Sequence, residues 1–362
     1  MSSSTPTARP ILSVAARDDL YGASRAALAI ARHLSEFGLA SSLVTPEAGP
    51  LAAAWSALAP TQVAPVGSAR SLWSRATRGL QLRSTVAWAK SQDVRMIAAI
   101  TLSAAPAARV IADGLGVPWV LHLRNIYSAR GREAPYAKYG ADHADLVLAA
   151  SQHILDEYRT AGPRTAQPAR VVLDGLELTP ARPRSEARKE LGLRGRAPIL
   201  GTCGAVSPQK NTLFAASLLA ELPGTQLVVL GDGAAPYSEE VRAVSGVLYQ
   251  GFRNDAPALL SGLDVLLHPS NAEALGLAPL EAMAAGVPVI ASNVGGLPEA
   301  LGDGAVLLPP NDRQAWVAAV RRILEDEPFR SQLIARGLAQ AQRMSARAAA
   351  ERTAAAYREL LG

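Results

Sequence analysis

The chain has 362 residues, 49% apolar and 19% charged, a balance typical of soluble globular enzymes and a length that allows two domains, each with its own core. No apolar run approaches the ~18 residues a membrane span needs, and the opening MSSSTPTARP has no apolar stretch before its proline, so neither a transmembrane segment nor a signal peptide is expected. The formal net charge is +5 and lies wholly in the first half: residues 1–180 hold 18 Lys+Arg against 13 Asp+Glu, and residues 181–362 hold 18 of each.

Short apolar, β-branched runs alternate with longer helical patterns. Strands are expected at residues 11–15, 42–45, 96–100, 119–123, 146–150 and 171–173, then at 199–204, 226–230, 247–251, 265–268, 287–291 and 305–308. Helical patterns at 24–36, 105–113, 213–222 and 314–325 separate most of them. Such alternation implies right-handed crossovers and parallel sheets covered on both faces. Two series of about six strands imply an α/β chain of two Rossmann-like domains. The join is expected between residues 175 and 196, where ELTPARPRSEARKELGLRGR loses strand character and gains proline and charge. The division is then 1–177, 178–345 and an Ala-rich terminal helix within 346–362, expected to pack back toward the N-terminal domain. Ligands of open parallel sheets bind beyond the carboxyl ends of the strands, so two such domains with sheets facing each other are expected to leave a cleft there.

Much of the positive charge lies between Arg70 and Arg95, where Arg70, Arg75, Arg78, Arg83, Lys90 and Arg95 face only Asp93. Leu72, Trp73, Ala76, Leu80 and Leu82 are interleaved with these cations. The stretch suits peripheral contact with an anionic membrane or an acidic acceptor, and equally an ordinary solvated helix face. The sequence has no regularly spaced stacking aromatics, no zinc-finger spacing and no nucleic-acid module, so no nucleic-acid partner is expected. The single cysteine, Cys203, cannot form an internal disulfide and lies in an apolar strand-like run, which points to a packing role and a reducing cytoplasm.

The densest chemical information is in HPSNAEALGLAPLEAMAAGVPVIASNVGGLPEAL, residues 268–301. A strand runs into a polar loop, then Gly276, then an apolar helix that tolerates Pro279 in its first turn and ends by Gly286. Free N–H groups and the positive dipole end of such a helix, at the tip of a parallel strand, form a ready phosphate site. Glu281 lies about one turn inside and can accept from both hydroxyls of a ribose, whereas Glu273 stays in the loop, placed for a sugar beyond the phosphates. A second strand–glycine–helix unit, VIASNVGGLPEAL, follows directly.

Glu273 and Glu281, eight positions apart in EALGLAPLEAMAAGVPVIASNVGGLPEAL, resemble the signature of the retaining glycosyltransferases of family four, which have the GT-B fold. Shorter stretches extend the resemblance over almost the whole chain: YGASRAALAIARHL, DLVLAASQHI, VVLDGLE with Asp174 in place of the usual asparagine, VVLGDG ending at Gly233, and GFRNDAPALLSGLDVLLHPS. The resemblance implies that Glu273 contacts the donor sugar, Glu281 the nucleotide ribose, and Lys210, in GAVSPQKN after Gly204, the diphosphate. Ala274, Leu275, Gly276 and Leu277 complete the donor loop. Where the family usually has an arginine directly after Gly204, this chain has Ala205, and Arg253 or a first-domain arginine would have to compensate. In the first domain, Gly22 and Arg25 open the helix after the first strand and could approach the donor or acceptor, although Arg25 equally suits a solvated face. His122, in VPWVLHLRN, matches a histidine near the reacting sugar, able to hydrogen-bond the donor or shuttle a proton, or else serves as a satisfied core histidine. Arg124 and Asn125 follow it toward the acceptor or diphosphate. His33, His143, His153 and His268 read as structural, with His268 bordering the donor loop.

The resemblance implies a metal-independent transfer of a hexosyl-type sugar from a UDP- or GDP-sugar to an acceptor hydroxyl in glycolipid, cell-envelope or polysaccharide synthesis, with no cofactor. Helix N-termini and Lys210 would stabilise the departing diphosphate, and no Asp-x-Asp metal signature is present. The resemblance implies retention of anomeric configuration. A nicotinamide dehydrogenase is disfavoured, because GDGAAP lacks the third glycine and follows a later strand. The glutamate signature disfavours a GT-B epimerase, and no lysine context suggests the pyridoxal phosphate of a phosphorylase. Ala205 keeps one further alternative, a non-catalytic nucleotide-sugar-binding subunit.

Overall fold

A computed structural model of the chain describes residues 9–67, 78–126, 142–161 and 167–362. The chain divides into two compact units, Met1–Gly175 together with Ala346–Gly362, and Leu176–Ser345.

The first unit is built on a seven-stranded, all-parallel sheet in the order β3-β2-β1-β4-β5-β6-β7. Its strands are β1 (Arg9–Val14), β2 (Leu39–Thr45), β3 (Thr61–Val63), β4 (Met96–Ala99), β5 (Trp119–Leu123), β6 (Leu146–Ala149) and β7 (Ala169–Val171). Every residue of β4, β5 and β6 is buried, as a parallel strand covered on both faces requires. The sequence pattern does not signal β3. It is a three-residue edge strand, TQV, with no fully buried position, too short and too polar to show a period. The strand expected at 171–173 lies two residues earlier, at Ala169–Val171.

One face of this sheet is closed by the helix Gly22–His33 and by the C-terminal helix Ala346–Leu361. Ala349, Ala350, Ala354, Ala356 and Tyr357 of the latter share a buried cluster with Ile11, Ile30, Leu34, Met96, Val120, Leu146 and Leu148. Small alanine side chains let the helix lie close to the sheet. Its one aromatic side chain, Tyr357, is 4% exposed and fills the remaining space. The other end of the same helix is anchored by Arg347, which bonds Glu36 at 2.8 Å.

The second unit has a six-stranded parallel sheet in the order β10-β9-β8-β11-β12-β13. Its strands are β8 (Ile199–Cys203), β9 (Gln226–Leu230), β10 (Val247–Gly251), β11 (Val265–His268), β12 (Val289–Ser292) and β13 (Ala305–Leu308). The run read as a strand from 287 begins pairing only at Val289, since Pro288 has no N–H to give the ladder. Leu200, Leu227, Val229, Val265, Leu267 and Ile290 from the sheet pack against Trp316, Val317, Val320 and Ile323 of the helix Arg313–Glu325. Asp312 caps that helix by accepting from Ala315 N at 3.2 Å. The segment between the two sheets is not featureless, for it contains the helix Arg184–Glu190.

In each sheet the strand order reverses once, between β1 and β4 and between β8 and β11. At such a switch point the loops leave in opposite directions and open a crevice at the carboxyl ends of the strands. Of the basic stretch, Arg70, Leu72, Trp73, Arg75 and Ala76 lie outside the described residues. Within it, Leu80 is 61% exposed and Leu82 is fully buried. No helix among the described residues is long and apolar enough to cross a membrane.

Candidate functional site

The crevice between β8 and β11 brings together two loops that are far apart in sequence. The loop after β8 holds Gly204, Ala205 and Lys210. The loop after β11 holds Ser270, Glu273 and Gly276 and leads into the helix Leu277–Ala284. Backbone and amide bonds stitch them: Asn271 N donates to Gln209 O at 2.8 Å, Asn271 Nδ2 to Pro208 O at 2.9 Å, and Gln209 Nε2 to Ala272 O at 3.2 Å. The first loop is also tied to the turn after β9, where Val206 N donates to Asp232 O at 2.9 Å, next to Gly233.

Two glycines permit the sharp path of the Glu273 loop. Gly276 has φ +98°, and a Cβ there would lie 2.5 Å from Leu297 Cδ2. Gly295 has φ +58°, and a Cβ there would lie 2.0 Å from the Glu273 carbonyl oxygen. The VGGLP turn therefore closes directly on the backbone of Glu273, whose carbonyl accepts from Gly296 N at 3.0 Å.

Lys210 Nζ bonds Glu273 Oε2. On the same oxygen converge His268 Nε2, at 3.0 Å, and Ser270 Oγ, at 3.4 Å, and these last two lie 3.1 Å apart. Glu273 is 9% exposed, His268 4% and Ser270 0%. Burial alone would raise the Glu273 carboxyl, but the hydrogen bond from His268 and the charge of Lys210 outweigh it and hold the group at about 2. Burial, reinforced by the charge of Lys210, pushes the imidazole of His268 down and keeps it neutral, although its bond to Glu273 pulls the other way. An ionised carboxylate only accepts, so His268 carries its proton on Nε2.

Leu275 is buried beneath the loop, Ala274 and Leu277 are half-buried, and Glu281 is 6% exposed, one turn into the helix. The expected donor-side residues of the second unit thus surround one switch point. His268 and Ser270, which sequence reasoning did not count among the donor-side residues, both contact Glu273. Their only sequence signal is position, at the end of β11 and the start of the glutamate loop. Ala205 is exposed. Arg253, the expected substitute for the missing arginine, forks onto Asp255 with Nε–Oδ1 and Nη2–Oδ2 both 2.9 Å.

In the first unit, Gly22 is the exposed first residue of its helix and Arg25 is exposed one turn on. His122 is buried in β5, with Nε2 2.6 Å from Tyr357 Oη and the rings edge to face at 5.9 Å. Burial, and then the charge of Arg124, push its imidazole well below the ordinary range. Arg124 Nε is 3.0 Å from both Asp174 oxygens, and Nη1 donates to Ile100 O at 3.3 Å. Arg124 and Asp174 are 8% and 6% exposed, so this is a buried pair, and Asn125 beside it is exposed.

Two doubly wound parallel sheets, one with a lysine–glutamate pair at its switch point and a helix starting beside it, are the architecture of the GT-B fold. The family profile described as "Glycosyl transferases group 1" matches residues 183–340, and that described as "Glycosyl transferase 4-like domain" matches residues 21–174. The chain belongs to the family-four glycosyltransferases. It is 31% identical over 242 residues to the lipopolysaccharide core biosynthesis mannosyltransferase LpsB of Rhizobium meliloti, covering 60% of this chain and 67% of the relative. To the D-inositol 3-phosphate glycosyltransferase of Mycobacterium marinum it is 34% identical over 177 residues, 44% of this chain. The match spans only 38% of that relative. The crystal structure of Anabaena Alr3699/HepE in complex with UDP superposes with a TM-score of 0.83 at 21% identity, covering 97% of this chain and 100% of that one. The UDP-glucose complex of the same protein gives 0.81 at 21% identity, with 97% and 99% covered.

Proposed function

We propose that the protein transfers a hexosyl-type sugar from a UDP- or GDP-sugar to an acceptor hydroxyl, with retention and without a metal, in glycolipid, cell-envelope or polysaccharide synthesis. The observation that carries this reading is the convergence of Lys210 and Glu273 at the β8/β11 switch point, beside the start of the helix Leu277–Ala284. In it, Lys210 and the helix N-terminus take the diphosphate and stabilise the charge that develops as it departs. Glu281 holds the ribose diol and Glu273 a sugar hydroxyl. Ala274, Leu275, Gly276 and Leu277 present the backbone of that loop, and Gly204 and Gly233 let neighbouring loops approach the nucleotide. In the first unit Gly22, Arg25 and Asn125 serve the donor and acceptor from the ends of β1 and β5, with His122 and Arg124 as the buried frame behind them.

Support for the nucleotide comes from the Anabaena complexes with UDP and UDP-glucose, and for the pathway class from the lipopolysaccharide mannosyltransferase of R. meliloti. The test is a panel of UDP- and GDP-sugars, with calorimetry for binding and release of nucleoside diphosphate for turnover. Binding and turnover of at least one donor are expected, and a protein that binds none overturns the reading.

One observation favours a second reading. Ala205 leaves the phosphate loop one cation short, and Arg253 is committed to Asp255. A non-catalytic nucleotide-sugar-binding subunit would bind donors yet neither hydrolyse nor transfer them with any candidate acceptor. Peripheral contact with the anionic face of a membrane is a further part of the proposal, carried by the charge between Arg70 and Arg95 and by exposed Leu80. Neutralising Arg75, Arg78 and Arg83 should reduce co-sedimentation with anionic vesicles; unchanged co-sedimentation removes the membrane role.

A further inference from the structure

Among the described residues, Lys210 Nζ, His268 Nε2 and Ser270 Oγ all end on Oε2 of Glu273, and Oε1 carries none of these bonds. The three are unequal in how firmly they are held. His268 closes β11 with its ring 4% exposed, and Ser270 is 0% exposed. Lys210 stands on a flexible four-carbon stem, and its side chain is 25% exposed. It is also the cation that the proposed function assigns to the diphosphate.

We propose that His268 is a positioning residue for Glu273. With Ser270 it pins Oε2 while Lys210 turns its charge to the diphosphate, so that Oε1 stays directed at a hydroxyl of the donor sugar. This role rests on the functional reading above. Its physical basis is the difference in mobility between the partners. A carboxylate held only by Lys210 would lose its fixed rotamer when the donor arrives, at the moment when its orientation matters most. A buried, neutral imidazole has no charge to give to the phosphates and no room to follow them. It donates one proton, from Nε2, along a line fixed by the end of a central strand. Glu273 thereby keeps a hydrogen-bond donor that the ligand does not compete for.

The substitutions that isolate this role are His268→Phe, which keeps the ring volume and removes the donor, and His268→Gln, whose amide N–H reaches the place of Nε2. Thermal melting establishes that each variant is folded. UDP-glucose and GDP-mannose are the probes, followed by calorimetry and by release of the nucleoside diphosphate. His268→Phe should lower kcat by about 10- to 100-fold and leave the donor KM unchanged, because the lost contact orients a group without binding the nucleotide. Among the described residues, Lys210 and His268 are the charged and titratable groups that shift Glu273. Removing the His268 donor should therefore move the acidic limb of the rate profile to higher pH. His268→Gln should restore most of kcat and return the limb toward the wild-type position.

If His268→Phe keeps wild-type kcat and pH profile, the positioning role is overturned while the transferase reading stands. If His268→Gln is as impaired as His268→Phe, a role peculiar to the imidazole replaces positioning. A wild-type protein that binds no donor of the UDP- and GDP-sugar panel removes the functional reading and this role with it.

Discussion

Lys210 and Glu273, 63 residues apart in sequence, form an ion pair at the β8/β11 switch point, and Glu273 is the more buried of the two. The lysine that should hold a diphosphate therefore rests on the carboxylate that should hold a sugar, and donor binding has to divide its charge between them. Glu273→Gln relieves that competition, so UDP binding should hold or tighten while turnover falls. Lys210→Ala removes a charge-assisted contact to phosphate and should weaken UDP binding by about 10-fold or more. Calorimetry with UDP beside donor turnover separates the two effects.

Glu281 lies one turn into the helix Leu277–Ala284 and is 6% exposed. As the acceptor for two ribose hydroxyls it should govern affinity. Glu281→Ala is expected to raise the UDP Kd by about 10- to 100-fold. A Kd that does not move would remove its assignment to the ribose.

The buried ionisable groups set two windows of acid sensitivity. Glu273 is held at about 2, below the ordinary value of 4.5, so its contribution is fully present above 4.5 and is lost as pH falls toward 2. That contribution is on the order of 3 kcal/mol. His122 and His268 are pushed below 6.5 mainly by burial, so the unfolded chain binds their protons first and stability should already decline as pH falls below 6.5. Urea unfolding from pH 7 to pH 3 should show both declines. His268→Phe should reduce the first, and Glu273→Gln the second.

In the first unit, Tyr357 reaches His122 across 235 residues of sequence at 2.6 Å. Tyr357→Phe keeps the ring in its cluster and loses only the hydroxyl, which should cost about 1–2 kcal/mol. Tyr357→Ala also opens a cavity under the C-terminal helix and should cost about 3–5 kcal/mol. Denaturant midpoints measure the difference, and equal losses for the two variants would show that the hydroxyl dominates the packing.

Arg124 and Asp174 form a buried pair, so removing one partner strands the other. Arg124→Ala should destabilise the protein by about 3–5 kcal/mol, whereas replacing both residues by apolar ones of similar volume should cost much less. A double-mutant cycle on unfolding free energies tests this directly. A milder loss for Arg124→Ala than for the double variant would contradict the pairing.

The alternation of strand and helix and the two parallel sheets were legible in the amino-acid sequence, because hydrophobic periodicity is a local property that backbone hydrogen bonding and burial impose on every few residues. The edge strand β3 escaped for the same reason, being too short and too exposed to leave a period. The glutamate loop was legible as well, since its glycines, its proline and its two carboxylates lie within one strand–loop–helix unit. What only the tertiary structure decided is which side chains meet. Lys210 meets Glu273, and Tyr357 meets His122, because strand order and helix packing carry distant segments into contact. His268, placed by sequence among structural histidines, turns its Nε2 to Glu273 because β11 ends where the loop folds back over it. The missing arginine at Ala205 was visible in the sequence. That Arg253 is already spent on Asp255 was not, because an ion pair depends on where two side chains point, and periodicity does not encode that.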